Sequence, residues 1–418
     1  IAGARRTIHV EMYIIHEDDQ GRRFADALID KAAEGVKVRV LYDWMGGFGK
    51  TSRRFWNRLR SEGIEVRCYN PPRFNRPLGW ISRDHRKMIA VDGAVGFVTG
   101  LCVGQMWVGS NGLEPWRDTG LVVRGPALAD IETAFAEAWG TAGEPLPTSE
   151  VSPEIDPVAG TVSLRVVATV PYTAGTFRVD QLVAAMARRT LWLTDAYFAG
   201  TTLYVEALRA AARDGVDVRL LVPGSSDISI LRPFSRAGYR PLLEAGVRVF
   251  EWNGSMLHAK TAVADGRWAR VGSTNLNIAS WLTNRELDVI VEDASIATRM
   301  EQMFEDDLKN ATEVVLDQRN RVRAPGAPRG RQTAQGSGGR VIAGAARIGN
   351  TVTAAITNRR ILEPVEAHIT MISGLLIGVL AVLAFVVPRA ISYPLGMVAA
   401  WFAVALLSRG IVLRSRRE

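Results

Sequence analysis

The feature that most constrains this chain is a repetition: one ordered set of signals recurs after roughly 180 residues, too long for a solenoid repeat and right for a duplicated domain. Arg6-Thr7-Ile8 leading to Tyr13 is echoed by Arg189-Thr190-Leu191 leading to Tyr197. Gly35-Val36-Lys37-Val38-Arg39 is echoed by Gly215-Val216-Asp217-Val218-Arg219, and Gly63-Ile64-Glu65-Val66 by Gly246-Val247-Arg248-Val249. In each of these last pairs a helical stretch ends at a glycine able to adopt the left-handed C-cap conformation, and an alternating apolar run starts at once. Phe24 to Ala33 and Leu203 to Ala212 carry helix-period apolar spacing ahead of those junctions. Each half therefore reads as strands alternating with helices.

The scarce residues mark where chemistry lies. Lysine occurs only at Lys31, Lys37, Lys50, Lys87, Lys260 and Lys309, and histidine only at His9, His16, His85, His258 and His368. Two of these histidines stand two residues ahead of two of these lysines, once in each half: His85-Arg86-Lys87 followed by Asp92, and His258-Ala259-Lys260 followed by Asp265. Both read H-x-K-x-x-x-x-D. In an extended segment alternate side chains share a face, so each imidazole and its ammonium can meet the same phosphate. A lone H-x-K is more often a solvated strand face; two copies at the same place in a duplicated chain are not.

Each motif has a sequel. Gly272-Ser273-Thr274-Asn275 supplies hydroxyl and amide donors, and Glu286 follows. The equivalent stretch of the first half is Thr99-Gly100-Leu101-Cys102, followed by Asp118. On these residues the chain resembles the two-domain members of the phospholipase D superfamily, and within it the bacterial cardiolipin synthases, over roughly residues 1–310.

The resemblance implies two tandem phospholipase D-like α/β/α domains related by a pseudo-two-fold axis, with the active site between them and no metal or other cofactor required. It also implies a mechanism in which one histidine attacks phosphorus to give a covalent phosphohistidine, while the other protonates the departing alkoxide and then deprotonates the incoming alcohol. His85 is assigned as nucleophile and His258 as acid/base by family analogy. Lys87 and Lys260 would neutralise the non-bridging oxygens, helped by phosphate-binding donors on Ser273 and Asn275. Glu286 and Asp118 would orient His258 and His85, respectively. Asp92 and Asp265 complete the catalytic set, although bonding of loop amides is favoured as their role. Cys102 stands where the family often places a phosphate-binding Asn, and Asn277 and Ala279 where many relatives carry Asp and Arg. Cys102 itself is disfavoured as the nucleophile, because the histidines already supply one.

Arg73, Arg76, Arg83 and Arg86 with Phe74 and Trp80 form a cluster around the first motif that suits anionic headgroups, weighed evenly against a solvated loop. Trp44, Phe48, Trp107 and Trp116 add aromatic bulk, which is more often core than ligand contact. Cys68 and Cys102 form neither a disulfide framework nor a metal-ligand spacing. The formal charge of +8 points to an anionic partner without choosing among nucleic acid, acidic phospholipid and solubility. Because the chain opens on Ile1, no N-terminal signal is read from it.

Residues 1–150 and 151–316 are read as the two domains, 317–340 as a basic flexible linker, and 341–368 as a candidate amphipathic juxtamembrane helix weighed evenly against a short solvated one. Two apolar runs, Ile369 to Val387 and Tyr393 to Leu407 (extendable to Leu413), flank a turn at Pro388 to Ser392, and residues 369–413 read as a transmembrane helical hairpin. Arg359 and Arg360 precede it and Arg409, Arg414, Arg416 and Arg417 end it, whereas the turn carries only Arg389. By the positive-inside rule both ends, and the catalytic halves, face the cytoplasm of a bacterial inner membrane.

The expected function is a phosphatidyltransferase that makes cardiolipin from phosphatidylglycerol and a second phospholipid, with phosphatidylethanolamine a candidate donor and an anionic membrane surface as partner. The alternative is a phospholipase D-type hydrolase or a nuclease using the same intermediate; the absence of a stacking array weighs against nucleic acid. A scaffold without catalysis is disfavoured by the intact motifs. Oligomeric state, and transfer against hydrolysis, are not legible.

Overall fold

A computed structural model describes residues 1–72, 81–110, 112, 114–147, 150, 160–224, 238–316 and 322–323, with isolated positions between 393 and 404. The expected juxtamembrane helix, nearly all of the expected hairpin, and Arg73, Phe74, Arg76 and Trp80 lie outside the described residues. Among the described residues no helix is long and apolar enough to cross a membrane. The described residues within 1–69 and 82–323 form one compact unit that holds both motifs. Asn70 to Pro72, Ile81 and the isolated positions belong to a second unit, in which Tyr393, Met397 and Val404 are exposed.

The first half is a six-stranded sheet in the order β3-β2-β1-β4-β5-β6. Its strands are β1 (Thr7–Met12), β2 (Lys37–Asp43), β3 (Glu65–Tyr69), β4 (Lys87–Val91), β5 (Val95–Thr99) and β6 (Gly120–Val123). The helices are α1 (Asp19–Ala33), α2 (Trp44–Gly47), α3 (Arg53–Ser61), α4 (Gln105–Val108) and α5 (Leu128–Thr141).

The second half repeats the plan on a nine-stranded sheet, β15-β14-β10-β9-β8-β11-β12-β13-β7. Its strands are β7 (Ser163–Thr169), β8 (Thr190–Thr194), β9 (Asp217–Pro223), β10 (Arg248–Trp252), β11 (Thr261–Ala264), β12 (Trp268–Gly272), β13 (Glu286–Glu292), β14 (Ala311–Leu316) and β15 (Val322–Arg323). Helices α6 (Gly175–Met186), α7 (Thr202–Arg213), α8 (Arg240–Glu244) and α9 (Ala294–Leu308) and a π-helical turn at Ala279–Thr283 accompany it. The fold is thus mixed α/β on two sheets. β15 falls within the stretch read as linker and pairs with β14.

The repeated junctions have one local cause. Asp18 and Thr201 cap α1 and α7 by accepting the backbone N–H of Gly21 and Tyr204. Each helix then ends at a glycine with φ near +90°, Gly35 at 89° and Gly215 at 91°, a conformation that a side chain would strain. The chain reverses there and enters a parallel strand: β1 pairs with β2 as β8 pairs with β9.

Register places the motifs. β4 runs antiparallel to β1, with Met12 opposite Lys87, and β11 runs antiparallel to β8, with Thr194 opposite Thr261. The start of each H-x-K strand therefore lies at the carboxyl edge of the parallel strands, where α/β sheets place ligands. At the opposite end, Asp92 and Asp265 occupy the turns after β4 and β11 with positive φ of 58° and 55°. Asp92 accepts the backbone N–H groups of Arg5, Arg6 and Thr7, and Asp265 those of Arg188, Arg189 and Thr190. Each clamps a β-turn to the first residue of its neighbouring strand.

The halves share a core. Leu287, Val289 and Val291 of β13 pack with Met88, Ala90, Val98, Val123 and the buried face of α5. This apolar seam holds the two motif-bearing edges side by side.

Candidate active site

Each H-x-K segment pairs not with its own half but with the other. The His85 backbone N–H donates to the Arg285 carbonyl at 3.0 Å, and the Arg285 N–H to the Arg83 carbonyl at 2.8 Å. In the same way the His258 N–H donates to the Arg117 carbonyl at 2.7 Å, and the Arg117 N–H to the Met256 carbonyl at 2.9 Å. Two isolated parallel bridges, Asp84 with Arg285 and Arg117 with Leu257, thus cross the seam. The next residue of each bridging segment is the carboxylate, which lands on the opposite histidine.

His85 Nδ1 lies 2.9 Å from Glu286 Oε2, and His258 Nδ1 lies 2.7 Å from Asp118 Oδ2. The sequence expectation paired Glu286 with His258 and Asp118 with His85, and the structure reverses it. The physical reason is the crossed bridging, which places each carboxylate strand beside the other half's motif. Both rings spend Nδ1 on a carboxylate, which leaves Nε2 as the nitrogen available to a ligand.

The arginines ahead of the two carboxylates reinforce the crossing. Arg285 donates to Glu137 at 2.8 Å and to the Tyr69 hydroxyl at 3.2 Å, both in the first half. Arg117 makes a two-pronged contact with Asp307 of α9 in the second half, at 2.8 and 2.9 Å. Such fork-to-carboxylate pairing fixes orientation as well as distance.

Lys87 and Lys260 are buried and fold back on their own motifs, Lys87 Nζ donating to the His85 carbonyl at 2.5 Å and Lys260 Nζ to that of His258. Tyr13 lies under Lys87, 5.1 Å from its ammonium, and meets the edge of His85 at 4.7 Å; Tyr197 stands at 6.0 Å from both Lys260 and His258. The tyrosine echo in the sequence was the available signal for these two residues.

The donor expected on Ser273 is already used. Its hydroxyl donates to Glu286 Oε2 at 2.6 Å and accepts the Leu287 N–H at 2.9 Å, so its single proton orients the carboxylate and not a phosphate. Asn284, unassigned from sequence, donates to Glu286 Oε1 at 3.2 Å. The first half achieves the same end differently. A Cβ at Gly100, the position equivalent to Ser273, would stand 2.1 Å from Asp118 Oδ1. That space must stay empty, and Trp107 Nε1 (3.3 Å) and the Thr119 N–H (2.8 Å) orient Asp118 instead.

Trp107 is buried in the first half's core with Trp116 packed against it, in line with the reading from sequence, and both also flank His258, their ring centroids 5.8 and 5.6 Å from the imidazole. Trp44 and Phe48 contact each other at 5.1 Å. Asn275 is buried with its side-chain oxygen unpartnered, and Cys102, its counterpart in the first half, is likewise buried. Asn277 bonds the Tyr197 carbonyl and the Ser280 N–H, a structural use.

Two expected contributors are placed elsewhere. Asp92 and Asp265 sit at the far ends of β4 and β11, roughly 16 Å from the lysines at about 3.3 Å per strand residue. They are therefore clamps outside the histidine cluster, contrary to their inclusion in the catalytic set. Arg86, expected in an exposed cluster suited to headgroups, is instead fully buried and donates to the carbonyls of Glu286 and Ala134. Arg83 is buried as well, with Asp43 4.0 Å away.

Burial dominates the electrostatics. It pushes His85 down to about 4, with Glu286 opposing and Lys87 adding to the shift, and His258 down to about 3, with Lys260 adding and Asp118 opposing. Both rings are neutral near pH 7 while the site holds no phosphate. Burial would raise Glu286 and Asp118, but their histidines and the lysines outweigh it and hold both below the usual carboxylate range. Lys260 is lowered by burial to about 8, with Asp118 opposing and Lys87 assisting the shift. The site is therefore two neutral imidazoles on anionic carboxylates, facing two ammonium groups. That arrangement attracts a phosphodiester anion, and the anion in turn favours protonation of one ring. Among the described residues no group of three or more His, Cys, Asp or Glu side chains could hold a metal ion.

The model of one known family, described as "Cardiolipin synthase, PLD-like domain", matches residues 1–139 and 183–308. The chain belongs to this family. Both crossed pairs lie within the matched segments. Among curated relatives, a cardiolipin synthase of Alkalihalophilus pseudofirmus is 33% identical over 319 residues, covering 74% of this chain and 63% of that protein. Cardiolipin synthase A of Pseudomonas entomophila is 34% identical over 328 residues, covering 76% of this chain and 66% of that protein. The chain thus spans less than two thirds of the length of either. Of solved structures, phosphatidylserine synthase from Haemophilus influenzae superposes with a TM-score of 0.57 at 15% identity, covering 75% of this chain and 83% of that one. That likeness is one of fold.

Proposed function

We propose that this chain is a phosphatidyltransferase that makes cardiolipin from phosphatidylglycerol and a second phospholipid through a covalent phosphatidyl-histidine. The observation that carries this reading is the pair of crossed His–carboxylate contacts, His85 with Glu286 and His258 with Asp118, converging with two buried lysines. The names of the curated relatives support the choice of product.

In the first step His85 Nε2 forms a bond to phosphorus as the bond to the departing alcohol breaks, and protonated His258 gives its proton to the alkoxide. Glu286 meets the positive charge that develops on the His85 ring. In the second step neutral His258 takes the proton of a phosphatidylglycerol hydroxyl, its oxygen attacks phosphorus, and the N–P bond breaks. Lys87, Lys260 and Asn275 face the non-bridging oxygens; one such donor is worth about 100- to 1000-fold in rate. Asp118 and Glu286 fix the tautomers, as the carboxylate of a hydrolytic triad does.

The same reading takes 1–150 and 151–316 as two phospholipase D-like domains, and 369–413 as a hairpin that anchors them at the cytoplasmic face of a bacterial inner membrane. The Arg-rich flanks of the two apolar runs support that orientation.

The deciding experiment incubates the full chain with radiolabelled phosphatidylglycerol, with and without phosphatidylethanolamine, and quenches within one turnover. Cardiolipin as product, and a labelled phosphoprotein in wild type that is absent from His85→Ala, are expected. Phosphatidic acid as the sole product would replace transfer by hydrolysis. Label persisting in His85→Ala and lost in His258→Ala would exchange the two histidines' roles.

A further inference from the structure

The active-site edge carries an uncommon share of this unit's exposed apolar side chains. Phe48 (66% exposed) follows β2, Val108 (60%) follows β5, Tyr172 (85%) follows β7, and Leu203 (66%) follows the loop after β8. Ile278 (40%) and Leu282 (37%) follow β12. Each of these strands ends at the edge where the motifs begin: Met12 opposes Lys87 and Tyr42, Met88 opposes Val98, Thr194 opposes Thr261, Thr261 opposes Val271, and Glu286 opposes Thr169. Single exposed apolar residues need no explanation, but six on the loops and helix ends that follow strands at the motif-bearing edges of the two sheets form a rim.

The rim is held in place. The Tyr172 N–H donates to the Leu282 carbonyl at 2.8 Å, and the Ala199 N–H to the Leu276 carbonyl at 3.0 Å. Val108 is the direct neighbour of Trp107, whose indole bonds Asp118, and Phe48 contacts Trp44. Exposed Arg53 and Arg54 stand a few residues beyond Phe48, and exposed Arg178 beyond Tyr172. Apolar tips interleaved with guanidinium groups match the acyl-to-headgroup boundary of an anionic bilayer, where apolar side chains enter and Arg meets lipid phosphate.

We infer that this rim is the surface by which the active site seats on an anionic phospholipid bilayer, its apolar tips entering between headgroups so that a lipid phosphodiester reaches His85 and His258 without leaving the membrane plane. The inference rests on the phosphatidyltransferase reading and adds the face presented to the membrane, which is independent of any anchor in residues 369–413.

Because the full chain can be held on vesicles by its C-terminal runs, bulk binding does not test this surface; depth at single positions does. In a Cys68→Ser background, with Cys102 buried, an environment-sensitive dye is placed at Val108→Cys, Tyr172→Cys or Leu203→Cys, and at Val122→Cys or Val315→Cys as controls on β6 and β14. The full chain is reconstituted in vesicles of phosphatidylglycerol and phosphatidylethanolamine brominated on the acyl chains. Severalfold stronger quenching at the rim than at the controls is expected. Equal quenching overturns the inference, as does concentration-dependent shielding of the rim without lipid, which would make it a contact with a second copy.

Turnover supplies an independent arm. Phe48→Ser with Leu203→Ser should lower turnover of vesicle lipid severalfold and leave that of short-chain, monomerically dispersed phosphatidylglycerol unchanged; equal loss on both overturns the inference. Rim quenching in a protein that turns over neither lipid supports the surface and removes the transferase reading instead.

Discussion

His85 and His258 are chemically similar and differently supported. Glu286 takes its orientation from two polar side chains, Ser273 and Asn284, whereas Asp118 depends on the Trp107 indole and a backbone N–H. Trp107→Phe keeps the ring beside His258 and removes the donor; kcat should fall about 10-fold, one hydrogen bond to a charged group being worth about 1.5–3 kcal/mol. KM should be nearly unchanged, and steady-state kinetics checks the split. Glu286→Gln should cost about 10²- to 10⁴-fold in kcat, because it offers His85 the wrong tautomer partner. The pH profile follows from His258 and the buried lysine. Because free His258 is neutral and must gain a proton to act as acid, kcat/KM should fall with rising pH, and more steeply above about 8, where Lys260 loses its proton. It should also decline as pH falls below about 4, where His85, the proposed nucleophile, becomes protonated. A slope unchanged from pH 7 to 10 would show that the Lys260 charge is not needed.

At the scale of elements, the turns after β4 and β11 do mechanical work. Asp265 takes three successive backbone N–H groups at the entrance of β8, and these contacts hold its carboxyl low against the opposing effect of partial burial. Asp265→Ala should destabilise the protein by about 1.5–3 kcal/mol while leaving kcat of the folded fraction within a factor of about 2, as denaturant titration alongside kinetics would show. A hundredfold loss of kcat would make it a participant in the site. The sequence was right about the position of this carboxylate and about its favoured role in bonding loop amides. It was wrong to count it among the catalytic groups: five residue-to-residue steps along β11 separate it from Lys260, and at about 3.3 Å each they carry it to the other edge of the sheet.

For the molecule as a whole, the site exists only because the halves exchange strands of contact. Arg117 and Arg285 anchor each carboxylate-bearing segment on a helix of the opposite half, at Asp307 and Glu137. Arg117→Ala should therefore lower both stability and kcat, by about 1.5–3 kcal/mol and about 10-fold, through displacement of Asp118 from His258. The apolar seam is the larger support: Leu287→Ala, a fully buried position between β13 and the first sheet, should cost about 2–5 kcal/mol. Thermal unfolding of the two variants would separate the polar clamp from the apolar one.

The sequence by itself determined that the chain is duplicated, that each half alternates helix and strand through glycine junctions, and that two scarce histidines each stand two residues ahead of a scarce lysine on one face of a strand. These are local or periodic properties, carried by residues within a few positions of one another. Gly35 and Gly215 take the backbone conformation their residue type favours, and H-x-K strands present alternate side chains to one face whatever surrounds them. Only the tertiary structure decided which carboxylate serves which histidine, that Ser273 serves Glu286, that Trp107 serves Asp118, and that Arg86 turns inward. Each of those contacts joins residues on separate strands, several of them in opposite halves. Chain order ranks Asp118 with His85 and Glu286 with His258, and the packing of β13 against the first sheet exchanges them.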